Sequence, residues 1–378
     1  MDIKDFKSGR HIAQEGYKSF CPEKVNTEWI VSSPEVATLL EEATGKVSAL
    51  NTYSLMIPDV DIFIRMHIIK EATTSSRIEG TQTHIQDAVL SKAQINPEQR
   101  DDWQEVQNYI RAMNFAIKQL NNIPLSNRLL RETHGVLMQG VRSKHKAPGE
   151  FRRSQNWIGG ISLKDAIFIP PHHTDVEDLM SDLEKFLHNT NINVPHLIRV
   201  AIAHYQFETI HPFLDGNGRL GRLLITLYLV SNNILKKPSL YLSDFFERNR
   251  QYYYDNLSAA RTKNNLTQWI KFFLVGIIET ADKSTSVFDA IIKLKNAIES
   301  KKIPKLGKRA PLAKKTLNYL YTKPVITVND LIDELEISKP TANAIVKDFL
   351  RLNILKEQTG FKRNRIFTFE DYLNLFKK

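Results

Sequence analysis

One short run dictates much of how this chain can fold. From His211 the sequence reads His-Pro-Phe-Leu-Asp-Gly-Asn-Gly-Arg-Leu-Gly-Arg, and apolar Leu223, Leu224, Ile225, Leu227, Tyr228 and Leu229 follow at once. A glycine-containing turn must therefore open directly into a buried helix. The first N–H groups of a helix have no intrahelical partner, and the helix dipole favours anions there. Phosphate is the natural guest of such a turn. The same window holds a candidate base (His211), a carboxylate suited to a hard cation (Asp215) and two arginines.

Elsewhere helical periodicity dominates. Apolar positions recur at three- and four-residue spacing over 60–73, 102–120, 127–142, 176–188, 196–209, 217–232, 244–260 and 266–296, which predicts a mainly α fold. Ser126 and Asp244 are the expected N-caps of two of these helices. The segment 151–170 breaks the pattern. Its two short apolar runs around Gly159 and Gly160 predict a lone β-hairpin, a natural lid or recognition edge.

The C-terminal part reads differently. Residues 301–311 are basic, contain three Gly or Pro residues, and predict a linker. Beyond them, helices at 312–321, 328–335 and 340–352 and two strands at 354–357 and 365–369 predict a winged helix-turn-helix domain. Much of the formal net charge of +10 sits here: residues 301–378 carry 17 Lys and Arg against 8 Asp and Glu, an excess of nine. That bias suits an anionic partner such as DNA. Thr341, Asn343 and Lys347 on the second helix of the motif, Lys339 just before it, and Arg363 and Arg365 on the wing are the candidate contacts. A winged helix that binds protein is the alternative, as is a basic tail that serves solubility alone.

Several classes are excluded. No apolar stretch approaches the ~18 residues of a membrane span, and the acidic start of the chain is not a signal peptide. Cys21 is the sole cysteine, which rules out internal disulfides and predicts a cytoplasmic setting. No Gly-x4-Gly-Lys-Ser/Thr loop and no His-Glu-x-x-His helix occur, so neither a P-loop nucleotidase nor a zincin fits.

The run from His211 to Arg222 resembles the active-site signature of the Fic family, His-Pro-Phe-x-Asp/Glu-Gly-Asn-Gly-Arg-x-x-Arg, at every specified position. Pro148-Gly149-Glu150-Phe151-Arg152 and the following hairpin are similar to the family's flap, and the helix bearing Tyr253, Tyr254 and Leu257 to its nucleotide-pocket helix. The resemblance implies transfer of AMP from ATP, with Mg²⁺, to a Ser, Thr or Tyr hydroxyl of a target protein or of the chain itself. His211 would be the general base. Asp215 would hold Mg²⁺. The backbone at Gly216, Asn217 and Gly218 would cradle the phosphates, and Arg219 and Arg222, spaced i and i+3, would grip the outer ones. Ile158, Tyr254 and Leu257 would border the nucleotide.

Upstream, Ser75-Ser76-Arg77-Ile78-Glu79-Gly80 resembles the family's inhibitory motif in its N-terminal, class II position. The resemblance implies that Glu79, aided by Ser75, occupies Arg222 and keeps ATP from binding productively. A preference of about 2.7 kcal/mol for the braked form would leave about 1% active. The expected division is 1–123 (helical region with the brake at 75–80), 124–300 (catalytic domain) and 301–378 (winged helix). Expected partners are a target protein at the hairpin, the chain itself, DNA, and a second copy in a homodimer, with no membrane. Two alternatives stay open: a DNA-binding regulator whose Fic-like domain serves as a nucleotide sensor, and a transferase using another nucleotide donor.

Overall fold

The structure, a computed structural model, describes residues 1–56, 60–140, 146–360 and 365–377. It opens with an antiparallel hairpin, β1 (Gly9–Gln14) and β2 (Tyr17–Pro22), in register from Gly9 opposite Pro22 to Gln14 opposite Tyr17. There follow α1 (Pro34–Met56), α2 (Val60–Ile78), a short α3 (Ile85–Ala88), α4 (Arg100–Gln119), α5 (Asn127–Leu137), α6 (Val176–His188), α7 (His196–Ile210) and α8 (Asn217–Ser231). Then come α9 (Ser243–Arg248), α10 (Arg250–Lys263) and the long α11 (Leu266–Lys301). The C-terminal part holds α12 (Ala310–Thr322), β3 (Val325–Ile326), α13 (Val328–Leu335), α14 (Lys339–Arg351), β4 (Lys356–Glu357), β5 (Phe367–Thr368) and α15 (Glu370–Asn374). Its three strands form an antiparallel sheet in the order β3-β5-β4. The chain is mainly helical, as its periodicity predicts. No helix among the described residues is long and apolar enough to cross a membrane.

Helix α7 is the centre of the larger part. Every residue from Leu197 to Ile210 is buried, which suits a helix with few polar positions on any side. It packs against α6, α8 and α11. Within it, Arg199 donates to the carbonyls of Phe186, Asn189 and Ile192, which satisfies acceptors at the end of α6. Helix α1 lies along α11, and α2 lies against α4 and α9.

Five expectations change. The hairpin at 151–170 reduces to a single antiparallel bridge, Ile158 with Phe168. Gly159 and Gly160 both take positive φ there, and a Cβ on Gly160 would meet the Asp165 carbonyl oxygen at 2.3 Å; residues 159–165 fold as bends and turns in place of two paired strands. The strand pair that does form, β1–β2, has no clear two-faced alternation, and it lies beside the flap, where Phe20 N–H donates to Ile169 O at 2.9 Å. Asp244 is not an N-cap: it lies inside α9 and pairs with Lys283 at 2.6 Å. The helix expected over 244–260 breaks at Asn249 (φ −113°, ψ 35°) into α9 and α10, and α5 stops at Leu137. Ser126, by contrast, caps α5 by accepting from Leu129 N–H.

The fifth concerns the linker at 301–311. Instead of a free connection, a tight helical turn at Ile303–Arg309 buries Ile303 and Leu306 and leads into α12. The C-terminal part then docks on α2. Phe63 meets Tyr321 edge-on at 5.2 Å, and His67 sits between Phe288 (4.7 Å) and Phe376 (5.2 Å).

Candidate active site

The run after α7 folds into a tight turn because its polar groups bond inward. His211 ends the helix in a left-handed conformation (φ 50°, ψ 60°), its N–H donating to Phe207 O. A non-glycine residue there costs on the order of 1 kcal/mol or more, and two side chains hold it. Arg152 Nε and Asn156 Nδ2 both donate to His211 O, at 3.0 and 3.1 Å. Arg152 Nη2 also donates to Pro171 O at 2.6 Å, and Asn156 Nδ2 to Phe213 O at 2.9 Å. Asn217 closes the turn on itself. Its Oδ1 accepts from Phe213 N–H and its Nδ2 donates to Phe213 O, both at 2.8 Å.

A second histidine supports the turn from below. His134 stacks on Phe213, centroids 3.8 Å apart, and its Nδ1 accepts from Gly149 N–H at 2.9 Å. The proton therefore sits on Nε2, which donates to Asp215 O at 3.0 Å. Gly216 stands at the N-cap of α8 with φ 76°, and a Cβ there would meet Met138 Sδ at 2.8 Å. Only glycine meets both conditions.

These elements surround a cleft of about 330 Å³. His211, Asp215, Gly216, Asn217, Gly218, Arg219 and Arg222 line it on one side, Ile158 on another, and Tyr254 and Leu257 of α10 on a third. Glu79 enters from α2, at the end of which it lies. Arg222 is the hub. Its side chain is 1% exposed; Nε donates to Ser75 Oγ at 2.8 Å, and Nη2 donates to Ser75 O at 2.9 Å and to Glu79 Oε1 at 2.7 Å. Two segments 143 residues apart in sequence thus meet in one ion pair. A Cβ at Gly218 would lie 2.3 Å from Glu79 Oε1. The Glu79 carboxylate therefore rests on the first turn of α8, where an anion is expected.

The electrostatics follow from burial and pairing. Burial works against the Glu79 carboxylate, but Arg222 outweighs it and holds the group below its ordinary value. Burial likewise opposes the Arg222 charge, and Glu79 together with Tyr253, Tyr254 and Glu208 more than offsets it. Burial, with help from Arg152, pushes His211 down to about 4, so its imidazole is neutral at ordinary pH and free to accept a proton. Its Nδ1 is buried without a hydrogen-bond partner.

Arg219 stands differently from Arg222. It lines the cleft, but Nη1 bonds Glu105 Oε2 of α4 at 3.1 Å, and Nη2 lies 3.8 Å from Asp215 Oδ1. Its orientation is set by these acids. The Asp215 carboxylate is half exposed, with Oδ1 accepting from Gly216 N–H at 2.6 Å. No group of three or more His, Cys, Asp or Glu is gathered as a metal site among the described residues.

Sequence reasoning did not single out Arg152 and Asn156 as supports, nor His134, Glu208, Tyr109 or Glu71. Glu71, one turn before Ser75 on α2, accepts from Tyr109 OH at 3.0 Å and Ser243 Oγ at 2.5 Å. No local spacing marks these residues, because their partners come from distant helices. In the C-terminal part, Lys339, Asn343 and Lys347 are exposed on α14, and Thr341 is half-buried with its hydroxyl bonded to Ser338 Oγ. Arg365 pairs with Glu357 at 3.4 Å and is not free. Arg363 lies outside the described residues.

Comparison with known proteins agrees with this geometry. Residues 37–118 match the family described as Fic/DOC family N-terminal, and residues 124–229 match the Fic/DOC family. The chain is 36% identical over 129 residues to protein adenylyltransferase Fic of Drosophila erecta, covering 32% of this chain and 24% of that protein. It is 34% identical over 125 residues to the Aedes aegypti protein of the same name, covering 33% and 22%. The chain thus spans about a quarter of the length of the curated relatives it matches. Among solved structures, a Fic family protein from Desulfovibrio desulfuricans superimposes over 91% of this chain and 98% of its own, with a TM-score of 0.57 at 20% identity. Residues 134–508 of Fic-1 from C. elegans match over 69% of this chain and 75% of theirs, with a TM-score of 0.52 at 20% identity. Residues 37–118 are thus similar to the Fic/DOC N-terminal family, and residues 124–229 to the Fic/DOC family.

Proposed function

We propose that the chain is an autoinhibited protein adenylyltransferase, which moves AMP from ATP to a protein hydroxyl. The observation that carries this reading is one cleft holding a neutral His211, the glycine-lined first turn of α8, and a guanidinium paired with Glu79. With Glu79 withdrawn, Arg222 and the N–H groups at Gly216–Gly218 receive the outer phosphates. His211 takes the proton of the target hydroxyl. The hydroxyl oxygen bonds to the α-phosphorus, the bond to the bridging oxygen breaks, and pyrophosphate leaves. Little covalent work falls to the protein; alignment and charge compensation supply the rate.

Asp215 suits Mg²⁺. Its half-exposed carboxylate at the cleft mouth is a hard oxygen donor, and as a lone carboxylate it would share the ion with phosphate oxygens. The ion would neutralise phosphate charge. Ile158 and Tyr254 would border the base, Tyr254 being partly exposed at the cleft. Ile161 and Ile167 of the flap are 93% and 83% exposed, an apolar edge suited to an extended target segment.

The same reading assigns 75–80 as a class II inhibitory motif and divides the chain at about 123 and 300. In the C-terminal part, α12, α13 and α14 with the sheet β3-β5-β4 fit a winged helix. Exposed Lys339, Asn343 and Lys347 on α14 favour DNA as its partner. The lone Cys21 suits a reducing, cytoplasmic setting.

The test uses ATP labelled at the α- or the γ-phosphate with the Glu79→Gly variant and Mg²⁺. Label retained on protein from the α position and none from the γ position is expected. Retention of γ-label would mean phosphoryl transfer and would refute the assignment. For the C-terminal part, a gel shift that weakens steeply with salt is expected, and no shift on any DNA at low salt would remove that reading.

A further inference from the structure

Glu208 has no role in the account so far, yet it lies inside the same cleft. It stands on α7, one turn before His211, and is 7% exposed. Its Oε1 is buried with no hydrogen-bond partner. Unsatisfied buried carboxyl oxygens are costly and uncommon in native folds. The fold nevertheless makes room for this one. A Cβ on Gly221 would come within 2.2 Å of Glu208 Oε1 and 3.2 Å of its Cδ. Glycine at 221 thus lets the carboxyl rest against the backbone of α8 at the residue preceding Arg222.

Arg222 makes no bond to Glu208; its Nε and Nη2 are turned to Ser75 and Glu79. Three charges dominate the surroundings of Glu208: Arg222 and Arg261 attract its anion, and Glu79 repels it. Burial, opposed by Arg222 and aided by Glu79, pushes the carboxyl up to about 7. Once Glu79 leaves, one guanidinium has lost its carboxylate and one carboxylate has lost its repulsion, at adjoining positions in a closed space.

Resting on the adenylyltransferase reading, we propose that Glu208 is a positioning residue for Arg222. After Glu79 withdraws, Glu208 accepts from the guanidinium edge that faces α7 and holds the opposite edge toward the outer phosphates of the nucleotide. The orphaned oxygen of the braked form is the waiting half of this contact. A guanidinium gripped on one edge presents its other pair of donors in a fixed plane, which bidentate recognition of phosphate requires. Without Glu208, Ser75 alone would hold Arg222 beside the space Glu79 vacates.

The test is a double-mutant cycle read as Mg²⁺–ATP affinity by calorimetry, in the Glu79→Gly background. Glu208→Gln alone weakens binding about tenfold, within the usual range for coupled neighbours. Arg222→Ala weakens it further, and adding Glu208→Gln to Arg222→Ala changes nothing. Additive losses would mean that Glu208 touches the nucleotide directly or merely supports the fold, and would overturn the proposal. So would Glu208→Gln with unchanged affinity. In steady-state labelling the same substitution raises KM for ATP more than it lowers kcat. In the braked chain it leaves Tm unchanged or raises it, because a neutral amide replaces an unpaired carboxyl; a drop of many degrees would point to a structural role instead. The cycle reads binding, so it stands even if the Glu79→Gly chain binds ATP but transfers nothing, the result that sinks the activity and not the contact. Absence of any ATP binding by that chain would sink both.

Discussion

Helix α2 is gripped at its two ends by different physics. At its C-terminal end, Ser75 and Glu79 converge on one guanidinium through three directional bonds. Toward its N-terminal end, Phe63 and His67 pack among Tyr321, Phe288 and Phe376 through ring contacts that have no single donor or acceptor. Between them Glu71 ties the helix to Tyr109 and Ser243. A buried ion pair is worth little as net stability but is costly to leave half-broken, so a competing anion of matching geometry can displace it. An aromatic contact gives way only with the burial that made it. On the proposed function, the contact at one end of the helix is exchanged for a nucleotide and the other stays.

Four substitutions or conditions sharpen that contrast. The largest energetic effect is expected at the packed end. Phe63, 1% exposed, should cost about 3–5 kcal/mol as Phe63→Ala, read as a lower denaturant midpoint. A loss under 1 kcal/mol would mean that the C-terminal part barely holds α2. At the exchangeable end, Glu79→Gly should raise labelling about a hundredfold if the braked form is favoured by about 2.7 kcal/mol, with little change in melting temperature. Equal labelling by mutant and wild type would remove the brake. Ser75→Ala deletes only the hydroxyl that receives Arg222 Nε, a charged hydrogen bond of about 1.5 kcal/mol or more. It should raise labelling about tenfold, measured against the same standard. No rise would place the whole restraint on Glu79.

The smallest effect concerns pH. The His211 imidazole, pushed down to about 4 by burial, is unprotonated above that value and active as a base. Labelling by Glu79→Gly should therefore stay level from pH 8 to about 5.5 and fall only toward pH 4. A fall centred near the ordinary histidine value of about 6.5 would show that the cleft opens to water when the brake leaves.

The sequence revealed the two ends of α2 unequally. The run from His211 to Arg222 carries its own pattern, and the turn it predicts forms in the structure with Asn217 closing it. Glu79 was found only through resemblance, because nothing local ties it to a guanidinium 143 residues away. The aromatic end was not visible at all: a basic segment with Gly and Pro reads as a free linker until Ile303 and Leu306 are seen buried. The flap reads as a hairpin from its two short apolar runs around Gly159 and Gly160, whereas the residues between Ile158 and Phe168 fold as bends and turns. Helix starts favour aspartate as a cap, whereas Asp244 lies one residue inside α9, in its first turn, and pairs with Lys283 and Arg248. Arg152, Asn156 and Glu208 act across helices and leave no spacing to detect.

The central claim is that Glu79 stands where a nucleotide phosphate must go, within reach of a histidine ready to take a proton. Intact-mass spectrometry of three chains with ATP and Mg²⁺ addresses it most directly: wild type, Glu79→Gly, and Glu79→Gly with His211→Ala. The account predicts a gain of one or more AMP units on the Glu79→Gly chain, a trace on wild type and none on the double variant. Equal masses for all three, or AMP on the chain lacking His211, would contradict it.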